Sequence, residues 1–214
     1  MDDYTSPLAD LEFGDFFKDK HEVKHHRYIS DHGELKEFLN AVDSYKNELV
    51  KSALKFGIYT ALRSANVRRL KWDYIDFSKN IITIPAKEMK MKKPFIMPMS
   101  RQVIDILNKM KDFRCCELVF SITGKPLSDN TLNKAIKSLG FGDKQDFHGL
   151  RGLFSTNLNE LIPTHKISSE IIELCLAHSD KNEIRDAYNH SSRLAEKAEL
   201  MCFWADFIDK IKAF

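Results

Sequence analysis

Apolar residues recur at helical spacing along most of this chain, and this pattern constrains the fold more than any other feature. Leucine, isoleucine, valine and phenylalanine fall three or four positions apart in long stretches, which is typical of amphipathic helices. Serines 64, 100 and 128 are predicted N-caps of three shorter helices, and Gly140 is predicted to end the last of these. The longer predicted helices cover residues 33–45, 48–62, 148–161, 168–178, 181–188 and 193–212.

The helical pattern is interrupted by short runs rich in β-branched residues. NIITIP (80–85) and PFIMP (94–98) are bounded by prolines and flank a lysine-rich connection, which predicts a β-hairpin. ELVF (117–120) is a predicted third strand. The sequence therefore predicts a mainly α domain with a small antiparallel β-sheet, an α+β fold.

The size and composition of the chain are those of one folded domain with an extension. Its 214 residues suffice for a sizeable core, and residues 1–26 lack sustained helical spacing, so we expect an arm or linker there and a domain over 27–214. The chain has no long uncharged apolar run, and its acidic start is unlike a signal peptide, so we expect no membrane partner and a cytoplasmic location. Four cysteines without a CxxC motif indicate reduced thiols and no zinc cluster.

Basic residues are concentrated in one part of the chain. The net charge is only +2, but residues 62–101 hold ten basic and three acidic side chains, a local charge of +7. This stretch is either a phosphate-facing surface or a solvated charged face. The residues predicted to contact nucleic acid here are Arg68, Lys87, Lys92, Lys93 and Arg101.

Six polar side chains, two of them within this basic stretch, suggest one chemistry. In order they are Arg63, Lys90, His148, Arg151, His178 and Tyr188. Arginine and lysine bind phosphates, and tyrosine is one of the few side chains that form covalent intermediates. His148 and Arg151, three residues apart, share one face of a predicted helix, although an HxxR pair alone is typical of an ordinary surface. The set suggests attack on a DNA phosphodiester with the protein as temporary phosphate carrier.

The contexts of these residues resemble the catalytic domain of tyrosine recombinases, most closely the prophage-type integrases. The resemblance spans residues 28–212 and is carried by YTALRSANVRRLKWDYIDF, IPAKEMKMKKPFIMPMSRQ, DFHGLRGLFSTNLNE, LAHSD and AYNHSSRLAEKAELMCFWADF. It implies that Arg63 and Arg151 clamp the non-bridging phosphate oxygens and that Lys90 is the general acid. It further implies that His148 helps to take the proton of the nucleophile Tyr188 and that His178 bonds the phosphate.

The resemblance also implies partners and cofactors. Members of the family act on double-stranded DNA attachment sites as homotetramers, sometimes with DNA-bending accessory proteins, and need no cofactor, metal or ATP. Full-length members carry an N-terminal core-binding domain, so we expect this chain to be a fragment. The last predicted helix has apolar residues on more than one face, which suits docking on a neighbouring subunit or completion of the core.

Two departures from the family pattern and one competing motif leave alternatives open. Asn66 stands where the family often has an acidic residue, and Phe95 stands where close relatives often have histidine. A catalytically impaired DNA-binding module is therefore one alternative. Residues 21–25 match HExxH, the pattern of zinc proteases, but lack a helical apolar stripe and the extended motif. His32, His165 and His190 are predicted surface residues.

Overall fold

The computed structural model describes residues 26–178 and 193–213. The predicted helix 181–188, Tyr188, His190 and the HExxH stretch lie outside the described residues. The strands are β1 (Ile75–Asp76), β2 (Ile81–Ile84) and β3 (Phe95–Pro98). The helices are α1 (His32–Asp43), α2 (Glu48–Thr60), α3 (Ser64–Arg68), α4 (Arg101–Lys111), α5 (Thr131–Ser138), α6 (Gly149–Glu160), α7 (Ile162–His165), α8 (Ser169–Cys175) and α9 (Leu194–Ala213). None of the described helices combines the length and apolar character that a membrane crossing requires.

The three strands form an antiparallel sheet in the order β1-β2-β3, which confirms the predicted hairpin. The predicted strand 117–120 is wrong, because the third strand is β1, whose Ile75 pairs with Ile82. Within 117–120 only Leu118 pairs, in a single bridge to Lys71. This run is apolar because Leu118, Val119 and Phe120 are buried, although the backbone turns instead of extending.

The predicted helix caps are partly confirmed. Ser100 caps α4 by accepting a hydrogen bond from the Val103 amide at 3.4 Å, and Gly140 follows α5 with a φ of 88°. The amides of Gly140 and Phe141 donate to carbonyls in the last turn of α5, an arrangement that glycine allows at positive φ. Ser64 and Ser128 are not N-caps, because Arg63 and Asn130 hold those positions. Arg63 is therefore extended, immediately before the first turn of α3.

Helices α2 and α9 pack together within the core, which includes buried residues of most described elements. Trp204 of α9 is fully buried, donates its indole N–H to the Ile58 carbonyl at 2.9 Å and contacts the Phe154 ring edge-on at 5.2 Å. Removing an aromatic side chain of this kind from a core costs about 3–5 kcal/mol. In the described structure, α9 thus completes the core of its own chain, the second of the two roles predicted for it. Six apolar residues of α9 are buried: Leu200, Met201, Trp204, Ala205, Ile208 and Ile211.

Candidate active site

Arg151 joins the ends of two helices. It lies in the first turn of α6, which is anchored by its buried residues Leu150 and Leu153, and only 6% of Arg151 is exposed. Its Nη1 donates to the Ala61 carbonyl at 2.9 Å, and its Nη2 donates to the Leu176 carbonyl at 2.6 Å. Ala61 and Leu176 are the C-caps of α2 and α8, whose last carbonyls lack partners within the helix and favour a cation. Two helix ends therefore fix one guanidinium.

A second guanidinium lies beside the first. Burial, and after it the nearby charge of Arg63, lower the pKa of Arg151 to about 10, although Glu173 partly opposes this shift. Arg63 is half-buried, and burial lowers its pKa as well. Within residues 26–178 and 193–213, the Arg63 side chain makes no hydrogen bond or ion pair. Two cations held together in this way form a site that favours an anion.

His178 lies between Arg151 and an acidic residue. Its Nε2 lies 2.9 Å from Nη2 of Arg151, and its Nδ1 lies 2.5 Å from a carboxylate oxygen of Glu173. Arginine can only donate, so Nε2 must accept, and the proton of the neutral ring must be on Nδ1, where it is donated to Glu173. Glu173 thus fixes both the orientation and the tautomer of His178. Sequence reasoning missed Glu173, which is one of two acidic residues in its helix.

His148 is exposed immediately before α6, three residues from Arg151. Partial burial lowers its pKa, and the charges of His26 and Arg151 lower it further, whereas Asp146 raises it. The imidazole of His148 is consequently neutral at pH 7 and able to accept a proton.

Residues 26–29 cross the start of α6, where His26 contacts His148. The two imidazole rings have centroids 4.1 Å apart, and Nδ1 of His26 lies 3.0 Å from a carboxylate oxygen of Asp146. The other carboxylate oxygen of Asp146 accepts the Gly149 amide at 2.7 Å. His26 was assigned to the arm in the sequence analysis, and no local pattern distinguishes it from His25.

Lys90 is exposed on the hairpin between β2 and β3, and no described residue forms a hydrogen bond or ion pair with it. The hairpin is tied to α3, since Nδ2 of Asn66 donates to the Glu88 carbonyl at 3.0 Å. Among the described residues, Asn66 therefore links the start of α3, which follows Arg63, to the hairpin that carries Lys90. The other lysines of the hairpin, Lys87, Lys92 and Lys93, are exposed as well.

Arg68 and Arg101 are the other two residues predicted to contact nucleic acid. Arg68 is buried, donates to the Leu127 carbonyl at 2.7 Å and pairs with Asp129, so its predicted place on an exposed phosphate-facing surface is wrong. Arg101 is exposed at the start of α4 and lines a groove together with Asp105 and Asp209. Lys55, Lys109 and Lys212 line the same groove, so basic side chains outnumber acidic ones there, and contact of Arg101 with DNA stays a prediction.

Three further residues are placed by the structure as follows. His165, a predicted surface residue, is half-buried, with Nε2 2.8 Å from the Leu158 carbonyl, whereas His32 is exposed as predicted. Phe95 is buried at the start of β3, and the ammonium of Lys197 lies 4.5 Å from its ring centre. Within the described residues, no three histidine, cysteine or acidic side chains are grouped so as to hold a metal ion.

Comparisons with known proteins identify the family of this chain. Residues 30–194 match the model of the phage integrase family. An integrase of Shigella phage Sf6 and the prophage integrase IntS of Escherichia coli K12 are each 35% identical to this chain over 179 residues, covering 81% of it. The chain spans 46% of the length of each of these relatives.

Solved structures share the fold. One match is a lambda integrase tetramer bound to a Holliday junction, with a TM-score of 0.57 and 21% identity. The match covers 78% of this chain and 49% of the lambda integrase chain. The XerH site-specific recombinase bound to its difH substrate matches 76% of this chain and 52% of its own, with a TM-score of 0.56 and 17% identity. The chain has the fold of a tyrosine recombinase catalytic domain, and it belongs to the phage integrase family.

Proposed function

We propose that this chain is the catalytic part of a site-specific DNA recombinase that breaks and rejoins DNA through a 3′-phosphotyrosine at Tyr188. The observation that carries the proposal is the pair of adjacent guanidinium groups, with Arg151 fixed by two helix-end carbonyls and Arg63 unpaired among the described residues. A preorganised cationic site of this kind stabilises the charge that develops on a phosphate during displacement.

The hydrogen bonds of Arg151 indicate how it binds the phosphate. Three of its five N–H groups are used by the two carbonyls and His178. The carbonyl contacts hold the guanidinium in place, and the contact with His178 is the one that a phosphate oxygen replaces. Once that contact is replaced, Nε2 of His178 faces the phosphate while Nδ1 stays on Glu173, and a proton on Nε2 would let it donate to a phosphate oxygen.

The chemical step is a displacement at phosphorus. The Tyr188 oxygen bonds to phosphorus as the bond to the 5′ oxygen breaks. His148 takes the phenolic proton, and Lys90 gives a proton to the departing oxygen. A free tyrosine has a pKa of about 10, so the neighbouring cations assist by favouring the phenolate. The phosphotyrosine ester retains the bond energy, so rejoining is the reverse reaction and uses neither ATP nor a metal.

The proposed partners follow from the same proposed chemistry. The substrates are duplex DNA attachment sites, which the exposed lysines of the hairpin contact through phosphates. The full-length protein is proposed to act as a homotetramer in the cytoplasm, together with DNA-bending accessory proteins. The tetrameric lambda integrase on a Holliday junction supports such an assembly.

Trapping the covalent intermediate on a nicked suicide substrate tests the proposal. The parent chain and a Tyr45→Phe control should form a protein–DNA adduct, whereas Tyr188→Phe should form none and still bind the DNA. Peptide mapping should find the nucleotide on Tyr188. A parent chain that binds DNA without forming an adduct would indicate the non-catalytic module instead, and an adduct on another residue would refute the assignment of the nucleophile.

A further inference from the structure

Asn66 connects two segments that carry proposed catalytic residues. Its backbone amide donates to the Arg63 carbonyl at 2.9 Å, within the first turn of α3. Its side-chain Nδ2 donates to the Glu88 carbonyl at 3.0 Å and lies 3.6 Å from the sulfur of Met89. Asn66 and Met89 are both buried, with 7% and 4% of their surfaces exposed. One residue thus bonds to Arg63 through its backbone and to the residues just before Lys90 through its side chain.

The backbone around Lys90 is compact on both sides. The amides of Glu88 and Met89 donate to the carbonyls of Pro85 and Ala86, and the Lys92 amide donates to the Met89 carbonyl. Lys90 lies between these turns, with its own side chain in solvent. Fixing Glu88 and Met89 therefore restricts where the Lys90 backbone lies, although the Lys90 side chain has no described partner of its own.

The contact requires a donor at position 66. The Glu88 carbonyl is an acceptor, and an ionised carboxylate is an acceptor only, so aspartate in place of Asn66 would set two acceptors against each other. A buried acceptor left without a donor is unfavourable. The amide is therefore suited to this hairpin, and the acidic residue that the resemblance led us to expect is not.

We propose that Asn66 is a positioning residue that holds the Lys90 segment at a fixed place relative to Arg63. The inference rests on the proposed function, because it acts through Lys90 as the general acid. If Asn66 is replaced, the Arg63 and Arg151 contacts remain and delivery of the proton to the leaving oxygen suffers. Misplacement of a reacting group by about 1 Å can slow a reaction roughly 100-fold.

Substrates with oxygen or sulfur at the bridging 5′ position separate these effects, since sulfur leaves without needing a proton. Asn66→Asp and Asn66→Ala should slow adduct formation roughly 100-fold on the oxygen substrate and recover most of that loss on the sulfur substrate, as Lys90→Ala should. Arg151→Ala should not recover. Asn157→Asp is a matched control, because Asn157 is buried and its amide also donates to a carbonyl, that of Leu153, at 2.9 Å. Any loss caused by Asn157→Asp should be the same on both substrates.

The outcomes distinguish this inference from the proposal on which it rests. Rescue of Lys90→Ala without rescue of the Asn66 variants would overturn the positioning role and leave the general acid intact. Failure of sulfur to rescue Lys90→Ala would overturn the role of Lys90 as general acid, and with it the positioning role of Asn66. If the aspartate variant does not fold, the Asn66→Ala and Lys90→Ala double variant decides, because the loss caused by Asn66→Ala should vanish once Lys90 is absent. An undiminished loss in that double variant would refute the inference.

Discussion

Replacing Arg151 by alanine should damage folding and catalysis together, whereas replacing Arg63 should damage catalysis alone. Arg151→Ala leaves the carbonyls of Ala61 and Leu176 without their donor, and both residues are buried, with 1% and 2% exposed. An orphaned buried acceptor costs about 1–3 kcal/mol, so the two together lower the free energy of unfolding by roughly 2–6 kcal/mol. Arg63 makes no such bond in the described structure, and its removal relieves repulsion of Arg151.

The corresponding catalytic losses should be similar for the two arginines. Removing one preorganised donor from a developing charge typically slows the chemical step by about 100- to 1000-fold. Lysine at either position keeps the charge, but its single nitrogen cannot reproduce the planar fork. Arg151→Lys should recover part of the stability that Arg151→Ala loses, since one ammonium can donate to one of the two carbonyls more easily than to both. Neither lysine variant should form adduct at a near-normal rate.

Thermal unfolding and adduct trapping measure the two effects separately. For a chain of this size, each kcal/mol shifts the melting temperature by roughly 2–4 °C, so Arg151→Ala should melt at least about 4 °C below the parent. Arg63→Ala should melt within about 2 °C of the parent while forming adduct as slowly as Arg151→Ala. An unchanged melting temperature for Arg151→Ala, or an equal loss for Arg63→Ala, would refute the assignment of a structural role to Arg151 alone.

Two further predictions concern pH and metal. His26→Ala removes the charge and the contact that lower the pKa of His148 and frees Asp146, which raises it, so the acid limb of the pH–rate profile should move to higher pH. His32→Ala should leave that limb in place, and an unmoved limb in His26→Ala would contradict a role for neutral His148. Adduct formation should persist in EDTA, because protein cations bind the phosphate, whereas loss of cleavage restored by zinc would favour the HExxH interpretation.

Helices were predictable from sequence where burial follows one face. In α1 the apolar positions used for the prediction, Leu35, Phe38, Leu39 and Val42, are all buried, so the period of the sequence reports the fold directly. The run 117–120 was misjudged because a short apolar segment is buried equally well as a turn. No local feature separates a strand from such a turn, since the difference depends on which backbone lies beside it.

The prediction of a basic surface was wrong at Arg68 for a related reason. Its partners, Leu127 and Asp129, lie about sixty residues further along the chain and only the folded structure brings them to α3. Sequence reasoning placed Arg68 among the residues that contact DNA because it lies in the basic stretch 62–101, which also contains Arg63. Arg68 is buried and bonded to protein acceptors, whereas the Arg63 side chain is half-buried and has no hydrogen-bond or ion-pair partner among the described residues.

Position 66 shows how a family pattern and a fold combine. From the pattern alone, Asn66 was a departure that left a catalytically impaired module open, because the side chain often found there carries a charge that accepts hydrogen bonds. In the folded chain the group facing position 66 is the Glu88 carbonyl, which accepts, so the side chain that satisfies it must donate. Whether an amide at this position weakens or completes a site therefore depends on the backbone of the neighbouring hairpin. A relative with an acidic residue at this position should present a donor from its hairpin in place of a carbonyl, and exchanging the two side chains should impair both proteins.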